Sequence, residues 1–272
     1  MVSLSAWFEK GTQPKPKARH LFRCMAVIGS GGKTSLIWRL AASSSPSRKI
    51  LVTPTTKMFV PAPEAKLYDE YSGSGVLPSC PASGVTLAGI FNEDEGKLEA
   101  LPQGKLKEII PHYDLVLMEA DGSRGLPFKA WAEDEPVVPP FTDLTIGMLP
   151  MRHLGEPVSE NLIHRLPLFL ALTGAAPGEA LKMEHMLHLI TGGTAGESFI
   201  PGLFAKAQGK KILFINQTEE SSALRQAREL AENLAPVFKS DDPRLGLAAI
   251  IAGSVEFNKL EVLYQSPSLW GK

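Results

Sequence analysis

The chain has 272 residues, 44% of them apolar and 21% charged, which suits one large α/β domain or a main domain with a smaller insert. A formal net charge of -1 gives no basic footprint for nucleic acid, and no apolar run approaches the roughly 20 residues that cross a bilayer. The first twenty residues carry charges and prolines where a signal peptide needs an apolar core, and Cys24 and Cys80 stand far apart in no metal-like spacing, so the expectation is a cytoplasmic protein without a disulfide framework.

In chain order, a short helix around Leu4–Glu9 leads into a Pro/Lys-rich connection. Leu21–Ile28 is an apolar run of strand length that closes on glycine. Its Cys24 reads as a buried strand residue, with a reactive sulfur or selenium carrier as the sharper alternative. Thr34–Ala42 changes to helical spacing, with Leu36, Ile37 and Leu40 on one side, and Lys49–Val52 is a second strand. Residues 61–104 are Gly/Pro-rich with short alternating stretches such as Gly84–Phe91, as expected of an inserted β-rich subregion. Tyr113–Met118, Leu144–Leu149 and Lys211–Ile215 are three more buried-strand candidates. Helical patterns run over Ser159–Leu172, Glu179–Ile190 and Glu219–Leu234, and Gly246–Tyr264 suggests one or two terminal strands. The alternation predicts a single α/β domain over 1–272, with a mostly parallel sheet, helices on both faces and ligand sites at the carboxyl ends of its strands.

Each motif with chemistry falls at such an end. Gly29-Ser30-Gly31-Gly32-Lys33-Thr34-Ser35 has the order strand, glycines, Lys-Thr, helix. Glycines let backbone N–H groups close around an anion, the helix start adds its positive dipole end, Lys33 supplies a charge for phosphates and the Thr34 hydroxyl suits Mg²⁺. Compared with G-x-x-x-x-G-K-[ST] the loop is two residues shorter, since position 27 is valine, as in the shortened loops of ATP-dependent Mur ligases. After YDLVLM come Glu119, Asp121 and Arg124. The two carboxylates share a face if the strand continues, so that one binds Mg²⁺ while the other acts as base, and Arg124 contacts phosphate or a charged substrate.

Thr55, Thr56 and Lys57 follow the second strand and are candidates for sensing phosphate or binding substrate, against plain helix capping. Ser159 opens a predicted helix that carries His164 and Arg165. Asn216-Gln217-Thr218-Glu219 sits where GTPases carry the base-reading N-K-x-D, with Gln for Lys and Glu for Asp, which leaves ATP and GTP both open. His20, His112, His153, His185 and His188 form no metal-binding spacing.

Over roughly residues 20–255 the chain resembles the YqeC-like family, described as selenium-dependent molybdenum hydroxylase accessory proteins. The likeness rests on GSGGKTS, TPTTKMF, EADGSRGLPFKAWAEDEPVVP, LGEPVSENLIHR and the strand ending in NQTEE. It implies a nucleotide-binding protein that assists maturation of such a hydroxylase, through selenium or the molybdopterin cofactor. It adds Gly122, Lys129, Glu135 and Pro136 to Glu119, Asp121, Arg124, His164 and Arg165 as candidate site residues. Three activities stay open: an NTP-hydrolysing or NTP-activating accessory enzyme, a small-molecule kinase or Mur-like ligase, and a nucleotide-switched binding module.

Overall fold

The computed structural model describes residues 1–12, 22–76, 82–195, 198–238 and 246–270. Cys80 and His20 lie outside the described residues. Among those described, the strands are β1 Val2–Ser3, β2 Cys24–Gly29, β3 Lys49–Pro54, β4 Lys57–Phe59, β5 Glu70–Ser72, β6 Gly84–Ala88, β7 Ile90–Asn92, β8 Lys97–Glu99, β9 Leu115–Glu119, β10 Phe128–Lys129, β11 Leu144–Pro150, β12 Ile163–His164, β13 Gly193–Ala195, β14 Ser198–Ile200, β15 Lys210–Asn216, β16 Leu247–Ser254 and β17 Lys259–Gln265. The helices are α1 Leu4–Thr12, α2 Lys33–Ser44, α3 Gln103–Ile109, α4 Leu166–Thr173, α5 Met183–Thr191 and α6 Ser221–Phe238.

Ten strands form one sheet in the order β1-β17-β16-β15-β11-β2-β9-β3-β6-β5. From β16 to β5 every neighbour is parallel, and β17 and β1 extend that edge antiparallel. Strict alternation divides the buried side chains between two cores. Met25 and Val27 of β2, Leu115 and Leu117 of β9, and Ile212 and Phe214 of β15 join Leu36, Ile37 and Leu40 of α2 and Trp7 and Phe8 of α1. Ala26, Ile28, Val116, Met118, Leu213 and Ile215 point the other way, onto Phe169 of α4, Leu189 of α5 and Leu230 of α6. The expected α/β sheet with helices on both faces is therefore present. The chain after β2 fills positions on one side with β3 and β9, then crosses to the other with β11, β15 and β16. That reversal opens a crevice at the carboxyl end of β2, where the phosphate-loop sequence begins.

Two expectations change. Residues 61–104 do not stand apart as a whole: β5 and β6 extend the main sheet, because Val85 and Leu87 bury against the α2 core. Only β7 and β8 leave it, joining β4 in a three-stranded antiparallel sheet. Residues 159–165 are not the start of a helix. Leu162 and Ile163 turn back on Ser159, and β12 pairs in parallel with β10, His164 opposite Lys129. The helix begins only after Arg165, which holds a left-handed φ of 61°, with Pro167 in the first turn where its missing N–H costs nothing.

Cys24 is buried, and burial, aided by the Asp143 carboxylate, pushes its thiol up to about 12. A thiol held protonated is a poor nucleophile. This removes support for the carrier reading of Cys24.

Candidate functional site

The loop 29–35 is held from three sides. Gly29 has φ 91°, and a Cβ there would stand 2.2 Å from the Met148 carbonyl oxygen of β11, so only glycine fits. Its N–H donates to both oxygens of Asp121, at 3.1 and 3.0 Å, and the Ser30 N–H donates to Met148 at 3.0 Å. From the far side Asn216 donates through Nδ2 to the Gly31 carbonyl at 2.7 Å and accepts from the Val255 N–H at 3.0 Å. Asn216 thus clamps the loop to the ends of β15 and β16. Gly32, at φ 122°, would drive a Cβ to 2.6 Å from that same Asn216 amide.

Lys33 opens α2 and folds back over the loop, with Nζ 2.7 Å from the Gly29 carbonyl and 3.4 Å from Asp121 Oδ1. Thr34 donates its hydroxyl to Glu119 Oε2 at 2.8 Å. Both carboxylates reach the start of α2, although β9 ends at Glu119 and Asp121 lies just beyond it, and their surroundings differ. Asp121 is fully buried and also accepts from Trp131 Nε1 at 2.8 Å, with Lys129 Nζ at 3.3 Å. It is spent on holding the loop. Glu119 borders the open cleft, and burial raises its carboxyl against the opposing pull of Lys33 and the Thr34 hydroxyl.

Behind Asp121 the charges continue in alternation. Lys129 is fully buried and bonds the Gly122 carbonyl at 2.6 Å and Glu135 at 2.7 Å, and Glu135 in turn takes both Arg165 nitrogens, at 2.5 and 3.0 Å. Lys33, Asp121, Lys129, Glu135 and Arg165 therefore form one chain running from the loop to the opposite rim. Burial pushes Glu135 up, but bonds from Arg165 and Lys129 outweigh it and hold the carboxyl at about 2. A carboxyl lowered on folding contributes stability above its ordinary value near 4.5, and that contribution fades as pH falls toward about 2. Arg165→Gln is therefore expected to cost about 1–2 kcal/mol at pH 7, the low end for a charged hydrogen bond because Arg165 is partly exposed. The deficit should shrink between pH 4.5 and 2 in thermal melts. A deficit independent of pH would show that the bond to Glu135 does not carry it.

The loop opens into a cleft of about 1180 Å³. Gly31, Gly32, Lys33, Thr34, Ser35, Thr56, Lys57, Glu119, Arg124, His164 and Arg165 all line it. Of the expected site residues, Asp121, Lys129 and Asn216 lie behind its wall as positioning groups. So does Thr55, whose hydroxyl donates to the Val137 carbonyl at 2.6 Å. The Lys57 ammonium is held by Glu95 and, at 3.1 Å, by Glu99, whereas Arg124 is exposed at φ 53° with no ion pair among the described residues. His164 is pushed down by burial, then by Arg165, Lys129 and Arg124, against a smaller pull from Glu135, which favours the neutral ring. The buried hydroxyls of Ser30 and Thr56 have no hydrogen-bond partner within the described residues.

Residues that sequence reasoning missed include His153, Glu95 and Glu99 in the cleft and Trp131 behind it. Lys97-Leu98-Glu99 alternates as a strand would, but nothing in it indicates that β8 folds over β4. Trp131 carried a signal, since a tryptophan beside a buried acid usually finds a partner for its N–H.

Residues 25–167, more than half of the chain, match the family model described as YqeC protein. A curated relative, "Uncharacterized protein YqeC" of Escherichia coli (strain K12), is 28% identical over 253 residues, covering 88% of this chain and 90% of its own length. No solved structure matches. Among the described residues no helix is long and apolar enough to cross a membrane. The matched segment holds β2 from Met25 on, the glycine loop, Glu119 of β9 with Asp121 just after it, and β12 with His164, and so every residue lining the cleft except Gln217: the chain belongs to the YqeC family.

Proposed function

We propose that the cleft binds a Mg²⁺–nucleoside triphosphate, ATP or GTP, and that the chain is an NTP-hydrolysing or NTP-activating accessory protein. The observation that carries this reading is the Thr34 hydroxyl 2.8 Å from Glu119, directly after a glycine loop with Lys33 folded over it. The donor set fits the metal: Mg²⁺ is a hard cation that takes oxygen ligands and keeps several waters. Thr34 and Glu119 would hold it, directly or through water, and since no group of three His, Cys, Asp or Glu side chains that could hold a metal occurs among the described residues, its other positions would fall to water and phosphate. When bound, Mg²⁺ neutralises charge on the β- and γ-phosphates.

The chain's own groups then have distinct tasks. Lys33 leaves the Gly29 carbonyl for phosphate oxygens and stabilises charge as it develops. Loop N–H groups and the start of α2 orient the phosphates. Glu119 orients a water, and Arg124, which has no ion pair among the described residues, reaches phosphate or a charged substrate from across the cleft. The resemblance of the motif blocks extends the proposal to maturation of a selenium-dependent molybdenum hydroxylase, with that enzyme or its molybdopterin cofactor as partner.

A second reading, phosphoryl transfer or ligation to a small acceptor, is favoured by the reach of the cleft past the loop to Thr56, His164 and Arg165. Neutral His164 suits a proton acceptor there. Phosphate release from Mg·ATP or Mg·GTP separates the readings. Release without an acceptor supports hydrolysis, and release only with one supports transfer. Tight binding without turnover in either condition turns the assignment to a nucleotide-switched binding module.

A further inference from the structure

Of the large apolar side chains that line the cleft, only Phe59 is exposed among the described residues, at 65%. The fold does not require it there. β4 pairs antiparallel with β8, Met58 opposite Leu98 and Phe59 opposite Lys97. Met58 and Leu98 bury in the α2 core, so strand alternation turns Phe59 and Lys97 to the other face, which is a wall of the cleft. Lys97 Nζ lies over the Phe59 ring, 5.0 Å from its centroid, and 3.7 Å from Glu95. The ring is thus braced by a cation and still mostly open to solvent. A flat aromatic surface in that state suits a second flat ring, because stacking takes apolar area out of water and every heterocycle has a π-face. Position along the sheet gives the direction. β2, β9 and β3 are neighbours, with the glycine loop after β2, Glu119 ending β9, and β4 starting just after Thr55 and Thr56 beyond β3. Phe59 therefore lies past the Thr34–Glu119 pair, on the opposite side of the loop from the Asn216 clamp on β15.

We propose that Phe59 is the platform on which a planar aromatic ring stacks, and that this ring belongs to the acceptor of the transfer reading above. The inference rests on that reading for the source of the ring, and on the exposed side chain for the stacking. The nearest charges are already paired, Lys57 with Glu95 and Glu99, so the wall selects by shape and π-contact more than by charge. A ring-bearing acceptor also gives a use to a cleft of about 1180 Å³, above the roughly 300–1,000 Å³ of a site for one small molecule.

The test is titration of the full chain with the Mg²⁺ complexes of tripolyphosphate, ATP and GTP, and with adenosine, pterin and riboflavin in the presence of Mg·tripolyphosphate. At least one of the phosphate-free rings is expected to bind. Phe59→Ala should weaken that ring about 10-fold or more relative to tripolyphosphate. Phe59→Tyr, which keeps the π-face, should hold it within about threefold of the parent. Phe59→Trp should add a fluorescence change on ring binding that tripolyphosphate does not produce. Ring affinities indifferent to Phe59→Ala, or no ring binding at all, overturn the platform and leave the phosphate site standing. A loss confined to ATP and GTP overturns the acceptor assignment, because the stacked ring is then the nucleotide's own base. Failure of tripolyphosphate and both nucleotides to bind overturns the phosphate reading, and a ring that still depends on Phe59 then leaves the platform standing without it.

Discussion

Replacing Asp121 by asparagine is expected to lower stability by about 3–5 kcal/mol, the range for removing one partner of a buried ion pair. The carboxylate is fully buried, takes three hydrogen bonds from the Gly29 N–H and Trp131, and stands within 3.4 Å of Lys33 and 3.3 Å of Lys129. The amide removes the counter-charge that two buried ammonium groups share, leaving Lys129 to Glu135 and Lys33 to Glu119. At roughly 2–4 °C per kcal/mol for a chain of this size, the melting temperature should fall by about 6–20 °C. Asp121→Asn combined with Lys129→Met should recover part of that loss, because an uncharged pair carries no orphaned charge. A single variant within about 1 kcal/mol of the parent would show that Asp121 is not the counter-charge of this network. Glu160→Gln, at an exposed position, should stay within about 0.5 kcal/mol and serves as control.

Lys33→Ala is expected to weaken nucleotide binding by about 100-fold or more, equivalent to about 2.7 kcal/mol for loss of a desolvated ammonium–phosphate contact. The fold should persist, since Asp121 keeps Lys129, the Gly29 N–H and Trp131. Circular dichroism checks that the fold persists, and the unfolding transition should shift by less than that of Asp121→Asn. Thr34→Ala should act differently: it removes the hydroxyl facing Glu119, so binding loses its dependence on Mg²⁺ more than its strength. If Lys33→Ala binds nucleotide as the parent does, phosphate recognition is not located on this loop.

Much of the architecture was legible because local signals agreed with one another. The five buried strands announced themselves as apolar runs, and the 3.6-residue spacing of Leu36, Ile37 and Leu40 put one face of α2 on the sheet. The spacing of Glu119 and Asp121 put both carboxylates at the start of α2. What it did not give was their division of labour, which depends on Trp131 and Lys129 arriving from a segment that folds back under the strand. His164 and Arg165 were misplaced on a helix because Leu162, Ile163 and Leu166 also fit helical spacing. Pairing with Phe128 and Lys129, a long-range contact, overrode that local preference. Asn216 reads as a base contact in sequence, and only the Gly31 carbonyl and Val255 N–H beside it reveal a clamp. Pairing of β8 with β4, which brings Glu95 and Glu99 to Lys57, is likewise non-local and leaves no local mark.

The measurement that tests the account most directly is a crystal structure of the full chain with Mg²⁺ and a non-hydrolysable ATP or GTP analogue. The account predicts the β- and γ-phosphates over Gly29–Gly32, with Lys33 swung off the Gly29 carbonyl onto them. It predicts the metal between Thr34 and Glu119, directly or through water, with Asp121 still bonded to the Gly29 N–H. An analogue seated away from the loop, or a loop that stays empty at saturating analogue while Lys33 remains on Gly29, would contradict it.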